Sequence, residues 1–222
     1  MIPPLQPGVA PARSDVPTIE TARLILRNWS LEDVAPYTAM LSDPGTARFI
    51  THDCKPVTNE IIGWANAAIM AGHWALYGAG MWVIQEKSSG KFAGRSGPWL
   101  RPFSPGVDVG CALAKEFRGK GYAFEAMRAS IDWTFATFDI DHVIHCLDRE
   151  NKGAEVMLRR IGAQIQNEMQ LLGHPADLWI TKRSAWFERG RADATRLARL
   201  EPLAVALVTR RIDGGAYSSR EG

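Results

Sequence analysis

The chain has 222 residues, 46% hydrophobic and 23% charged, which is the composition of one soluble globular domain with a sizeable core. Its formal net charge of +2 is too small to argue for bulk binding to nucleic acid or membrane, and no apolar run approaches the roughly 18 residues a bilayer span needs. Cys54, Cys111 and Cys146 are odd in number and widely spaced, which suits neither a disulfide framework nor a zinc site and predicts reduced, buried thiols in a cytoplasmic protein.

Residues 1–17 hold five prolines, lack the basic start and apolar middle of a secretory signal, and read as a flexible leader. In "TARLILRNW" (21–29) Leu24 and Leu26 alternate with Arg23 and Arg27, which predicts a strand. Ser30 and Asp33 make a capping box ahead of a helix whose inner face is Val34, Tyr37, Thr38 and Leu41, and "SDPGT" ends that helix. A second helix is predicted over about 58–76, with Ile61, Ile62, Ala65, Ile69 and Leu76 turned inward. Strands follow at 81–86 and 92–100, joined by the hairpin connection "KSSGK". "VDVGCAL" (107–113) is a further strand and runs into "KEFRGKGYAFEA" (115–126), a turn that opens a helix striped by Met127, Ile131, Phe135 and Phe138. A strand at 142–147, a helix marked by Ala154, Met157, Leu158 and Ile161, and a strand at 177–183 complete the domain, placed at 18–188. The order predicts an α+β, mixed α/β domain with a largely antiparallel sheet and one parallel crossover near the turn. The extension 189–222 reads as partly helical, with Leu197, Leu200, Leu203 and Leu207 on one face. Residues 181–222 carry nine Lys/Arg against five Asp/Glu, which suits a solvated helix or a nucleic-acid patch.

The turn is built for an anion. Gly119 and Gly121 let backbone approach a ligand closely, the amides of 119–123 begin a helix without intrahelical partners, and Arg118 and Lys120 add charge. "RGKGYA" lacks the Ser/Thr of a P-loop and the third glycine of a dinucleotide fingerprint. It matches instead the Arg/Gln-x-x-Gly-x-Gly/Ala motif of the GNAT superfamily of N-acetyltransferases, through Arg118, Gly121 and Ala123. "DRENKGAEVMLRRIGA" (148–163) resembles that superfamily's following motif, and "ETARLILRNWSLEDV" and "LWITKRSAWFE" resemble its RimJ/RimL-like branch, which acetylates ribosomal-protein N-termini.

The resemblance implies a sheet splayed beside the loop, acetyl-CoA as co-substrate without a metal, and an amine acceptor, either a peptide N-terminus or a small amine. By the same resemblance, Arg118, Gly119, Lys120, Gly121, Tyr122 and Ala123 would hold the pyrophosphate. Val109, Cys111 and Leu113 would contact the pantetheine arm through their backbone, and Asn151 would contact the arm or cap its helix. Asp108 falls where the branch often carries a glutamate base, and its other reading is a polar residue at a strand start. His145 and Asp148 are proton-relay candidates, although a lone strand histidine is more often a satisfied core residue, and His52 and Asp53 lie where substrate loops fall in the superfamily or are equally loop polarity. Trp64, Trp74, Trp82 and Trp99 either wall the acceptor pocket or fill the core. The tyrosine that protonates the leaving thiolate in many members is Leu158 here, and a common serine is Ala154. These departures keep open a second reading, a non-catalytic acyl-CoA-binding or regulatory module. Membranes and nucleic acid fall outside the expected partners, and the expected assembly is a monomer or homodimer.

Overall fold

The computed structural model describes residues 15–190 apart from 103 and 172. Eight strands form one sheet: β1 (Ile19–Glu20), β2 (Leu24–Arg27), β3 (Trp82–Glu86), β4 (Phe92–Trp99), β5 (Asp108–Leu113), β6 (His142–Asp148), β7 (Gln164–Leu171) and β8 (His174–Lys182). Their spatial order is β1-β2-β3-β4-β5-β6-β8-β7. Every neighbouring pair is antiparallel except β5 and β6, which are joined by the crossover helix α4 (Tyr122–Thr137). The mixed, largely antiparallel architecture is the one expected. Among the described residues no helix is long and apolar enough to cross a membrane.

The parallel pair is barely a pair. Asp108 opposite Ile144 is its one register match, and the Ile144 amide donates to the Val107 carbonyl at 3.0 Å. Beyond that rung the strands diverge, and the sheet forks. The two sides of the fork have separate cores. One gathers Leu24, Leu26, Tyr37, Trp74, Trp82, Ile84 and Trp133; the other gathers Val109, Met127, Ile131, Phe135, Leu158 and Trp179. Helix α4 contributes to both, which is why Ala126, Met127, Ile131, Trp133 and Phe135 are all buried although they do not share one stripe. Phe138, expected on that stripe, is the C-cap and packs on the first core.

Helices α1 (Val34–Ser42), α2 (Pro44–Ile50) and α3 (Glu60–Tyr77) cover the first half-sheet; α5 (Lys152–Ile161) and α6 (Arg183–Gly190) belong to the second. The Ser30 amide donates to the Asp33 carboxylate at 2.8 Å ahead of α1, and Arg27 clamps the same carboxylate with two bonds. The segment read as a break holds α2, started by Pro44 at its first position and by Asp43, whose side chain accepts from the Thr46 amide. The inward face expected for α3 is its outer one: Ile61, Ile62, Ile69 and Leu76 are exposed, and Ala65 is half-buried. The buried stripe is Gly63, Ala67, Met70 and Trp74. Gly63 sets this orientation, because a Cβ there would stand 2.0 Å from the Thr38 hydroxyl. Small residues let α1 and α3 approach, and that contact outranks the larger apolar stripe. Val16 packs against the first core and the Pro17 carbonyl accepts from the Trp82 indole at 2.7 Å, so the last residues of the expected leader are already held by the domain. The predicted apolar face at 197–207 and the basic extension lie outside the described residues.

Candidate functional site

The loop after β5 is shaped by two left-handed glycines, Gly119 at φ +76° and Gly121 at φ +81°. Gly121 is the N-cap of α4, so the first amides of a 16-residue helix open toward the loop. Beside Gly119 a Cβ would meet nothing within 4 Å. Arg23, the residue just before β2, holds the loop from behind. Its guanidinium donates to the Lys120 carbonyl at 2.8 Å, pairs with Glu125 at 2.7 Å and lies over the Tyr122 ring. Arg118, expected to add charge for a ligand, instead reaches Asp43 at 3.0 Å, the Thr46 hydroxyl and the Leu113 carbonyl, tying the loop to α2. The Thr46 hydroxyl, with Arg118, holds the Asp43 carboxyl below its ordinary range. The Lys120 ammonium rests over the rings of Phe117 and Tyr122.

Two cavities open from the fork and share a wall. The loop cavity, about 550 Å³, is lined by Arg118, Gly119, Gly121, Tyr122, Ala123 and Leu113, among others. The deep cavity, about 460 Å³, is lined by Asp108, Arg101, Arg95, Trp99, His52, His145 and Leu158, among others. Phe49, Ile50, Cys111, Ala112, Asn151, Ala154 and Met157 face both, so the two form one cleft that bends at β5 and the start of α5. Backbone polarity along β5 fits this. The Val107 and Val109 carbonyls point toward β6, where the Ile144 amide and the His145 ring meet them, while the Gly110 carbonyl turns to Ser96 of β4. By strand alternation, Cys111 and Leu113 also present their amides and carbonyls to the open side of the fork. An extended ligand arm laid there meets a free strand edge, and a helix N-terminus at the far end meets an anion.

Asp108 sits at the mouth of the fork. Burial pushes its carboxyl up to about 6, against the pull of Arg101, whose Nη2 lies 2.8 Å away. A carboxyl poised there is ionised at neutral pH and close enough in pKa to accept and return a proton. His145 has both ring nitrogens engaged, Nδ1 with the Val109 carbonyl at 2.7 Å and Nε2 with the Thr181 hydroxyl at 2.9 Å. A carbonyl can only accept, so Nδ1 carries the proton; burial holds the ring near a pKa of about 4, hence neutral. It is a clasp across the fork, and the relay role expected of it is replaced by that of a satisfied core histidine. Asp148 accepts from the Glu150 amide at 2.8 Å in a local turn, Asp53 similarly accepts from the Lys55 amide, and neither is among the residues lining the two cavities. His52 is exposed and lines the deep cavity. Asn151 caps α5 through the Ala154 amide at 3.2 Å, one of the two roles expected of it, and it lines both cavities where they meet.

Of the four tryptophans, Trp99 alone lines the deep cavity; Trp74 and Trp82 are core, and Trp64 is exposed. The three cysteines are free and half-buried rather than buried. Burial pushes the Cys111 and Cys146 thiols up to about 12, which leaves neither a thiolate nucleophile at neutral pH. Leu158 lines the deep cavity and is 2% exposed, so no hydroxyl stands at that position. Among the described residues no group of three or more His, Cys, Asp or Glu is placed to hold a metal ion. Sequence reasoning missed Arg23, Glu125, Arg101 and Arg95. The arginine in "AGRSG", inside a strand with no alternation of polarity, is the one of these that carried a signal.

Comparison with known proteins places this site in a class: residues 23–164 match the model of the acetyltransferase (GNAT) domain. The chain belongs to the GNAT family and is an acetyl-CoA-dependent acyltransferase. It is 26% identical over 166 residues to YkkB, an uncharacterized protein of Bacillus subtilis, covering 73% of this chain and 94% of that protein. Among solved structures it resembles an acetyltransferase from Agrobacterium tumefaciens (TM-score 0.67, 22% identity, 79% of this chain and 100% of the other). It also resembles RimL, a ribosomal-protein α-N-acetyltransferase in complex with coenzyme A (TM-score 0.64, 16% identity, 76% and 99%).

Proposed function

We propose that this acyltransferase moves an acetyl group directly from acetyl-CoA to a primary amine, and that the amine is the N-terminus of a peptide or protein. The observation that carries the reading is Asp108, a largely desolvated carboxyl raised to about 6, in the cavity that joins the loop cavity along the free edge of β5. The bound thioester supplies the electrophilic carbonyl. The residues at hand fit such a donor. The amides from Gly119 to Ala123 receive its pyrophosphate, with Lys120 at the rim. The edge of Cys111 and Leu113 pairs with its pantetheine arm, whereas the Val109 carbonyl expected there is taken by His145, and Asn151 meets the arm at the bend.

Asp108 takes the proton of the incoming ammonium, directly or through one water, and Arg101 keeps the carboxylate oriented. A β5 amide aimed into the fork polarises the reacting carbonyl. No side-chain nucleophile takes part. Because Leu158 cannot donate, the proton on the departing sulfur comes from water in the cleft. The peptide acceptor is favoured by the resemblance of residues 20–34 and 178–188 to the ribosomal-protein branch and by the fold shared with RimL. A cytoplasmic location accords with free thiols.

The test is thiol release from acetyl-CoA with short peptides and small amines as acceptors, between pH 5 and 8.5. Wild type is expected to lose rate as pH falls through about 6, and Asp108→Asn to lower kcat by about 100-fold or more while coenzyme A affinity holds. Tight acetyl-CoA binding with no release from any acceptor would overturn catalysis in favour of a binding module.

A further inference from the structure

Arg95 is a cation buried in a strand where, among the described residues, no carboxylate neutralises it. It lies in the interior of the sheet, opposite Val83 of β3 and Ala112 of β5, and is 8% exposed. Directly paired residues of a sheet point the same way, as do alternate residues of a strand, so Arg95, Trp99, Asp108 and Ala112 share one face. That face is a wall of the deep cavity. The guanidinium cannot shed its charge at any accessible pH. Its Nη1 donates to the Met81 sulfur, a weak acceptor, and its Nε is buried with no hydrogen-bond partner. Among the described residues no carboxylate lies within ion-pair distance of it, and Asp108, on the same face, is already held by Arg101. An unpaired buried charge is costly to maintain, and a complementary anion entering the cavity would offset that cost.

We propose that Arg95 binds a carboxylate of the acceptor, so that the substrate is a peptide with an acidic residue at its second or third position. This rests on the peptide acceptor proposed above. The spacing sets the length. The rung of Trp99 and Asp108 is four residues from that of Arg95 and Ala112, about 13 Å of strand. An α-amino acid carries amine and carboxylate on one carbon and cannot reach both Asp108 and Arg95. An extended peptide advances about 3.3 Å per residue and brings the acidic side chain of its second or third residue toward the guanidinium. Arg95 then acts on specificity, through a fork of donors that matches a carboxylate.

The experiment uses peptide twins, each with Asp or Asn at position one, two or three, at saturating acetyl-CoA, with wild type, Arg95→Gln and Arg95→Lys. Wild type is expected to prefer the acidic twin at position two or three by about tenfold or more in kcat/KM, carried by KM. Arg95→Gln should bring the ratio close to one and Arg95→Lys should restore part of it. The coenzyme A affinity of each variant, read by calorimetry, should match wild type, which shows that the fold and loop are intact. Equal rates for the twins in wild type would overturn the proposal, as would an Arg95→Gln variant that loses both twins equally. If no peptide is acetylated, the peptide acceptor is refuted. The same comparison on ω-amino acids and their amides then decides Arg95: a tenfold preference for the carboxylate keeps its anion-binding role, and parity removes it.

Discussion

Replacing Asp108 with asparagine removes a titrating group whose folded pKa, about 6, lies above its ordinary value of 3.8. Between those values the folded chain holds more protons than the unfolded one, so Asp108 lowers stability as pH rises through the window, the reverse of a paired surface aspartate. A shift of about two units corresponds to about 3 kcal/mol, of which about 2 kcal/mol develops between pH 4.5 and 7.5. Arg101 loses its partner in the variant, but it stays charged throughout, so that penalty is constant with pH and drops out of the slope. Urea unfolding of both proteins at pH 4.5, 5.5, 6.5 and 7.5 reads the quantity. Wild type should lose about 2 kcal/mol relative to Asp108→Asn across the series. A difference that is flat, or that favours wild type as pH rises, would refute the assignment of a desolvated, raised carboxyl and with it the poised base.

Gly121→Glu should lower coenzyme A affinity at least tenfold by calorimetry, since it places a carboxylate where an anion is received; the left-handed backbone adds about 1–2 kcal/mol of instability. Unchanged affinity would refute the anion loop. His145→Leu leaves the Val109 carbonyl and the Thr181 hydroxyl without the ring and should cost about 2–3 kcal/mol in urea unfolding. His145→Gln, if folded, should keep the activity limb near pH 6, because Asp108 and not the histidine titrates there; loss of the limb would reverse that assignment. Gly63→Ala should destabilise by about 2 kcal/mol or more through its clash with Thr38, whereas Ile61→Ser, at a position 72% exposed, should stay within about 0.5 kcal/mol of wild type.

The loop was readable because its function constrains residue types: two positive-φ glycines and a helix start leave a trace in sequence whatever surrounds them. Strand β7 left none. "QIQNEMQL" is almost wholly exposed and is held by backbone pairing to β8, which any side chains permit. Helix α3 offered two stripes, and periodicity favoured the larger residues; close packing against α1 chose the one containing Gly63, a contact that depends on a partner helix. Helix α2 did carry start signals, Asp43 and Pro44, hidden inside a short segment dominated by turn residues. At the site, Asp108 was reached through resemblance, while Arg101 and Arg95 became visible only once register placed them on its face. Arg118 shows the converse: a residue in the expected motif whose side chain reaches a neighbouring helix.

The fork has a consequence for how the molecule responds to what it binds. With one rung between β5 and β6 and a separate core on either side, the fold is two half-molecules hinged on α4 and clasped by His145. An arm lying along β5 would supply the rungs the polypeptide omits, so the donor would serve as a ninth strand as well as a reactant. Amide exchange at Cys111 and Leu113 should slow when it binds, and melting temperature should climb with its concentration as mass action dictates. In a cell the supply of donor would then set how long the protein survives as well as how fast it works.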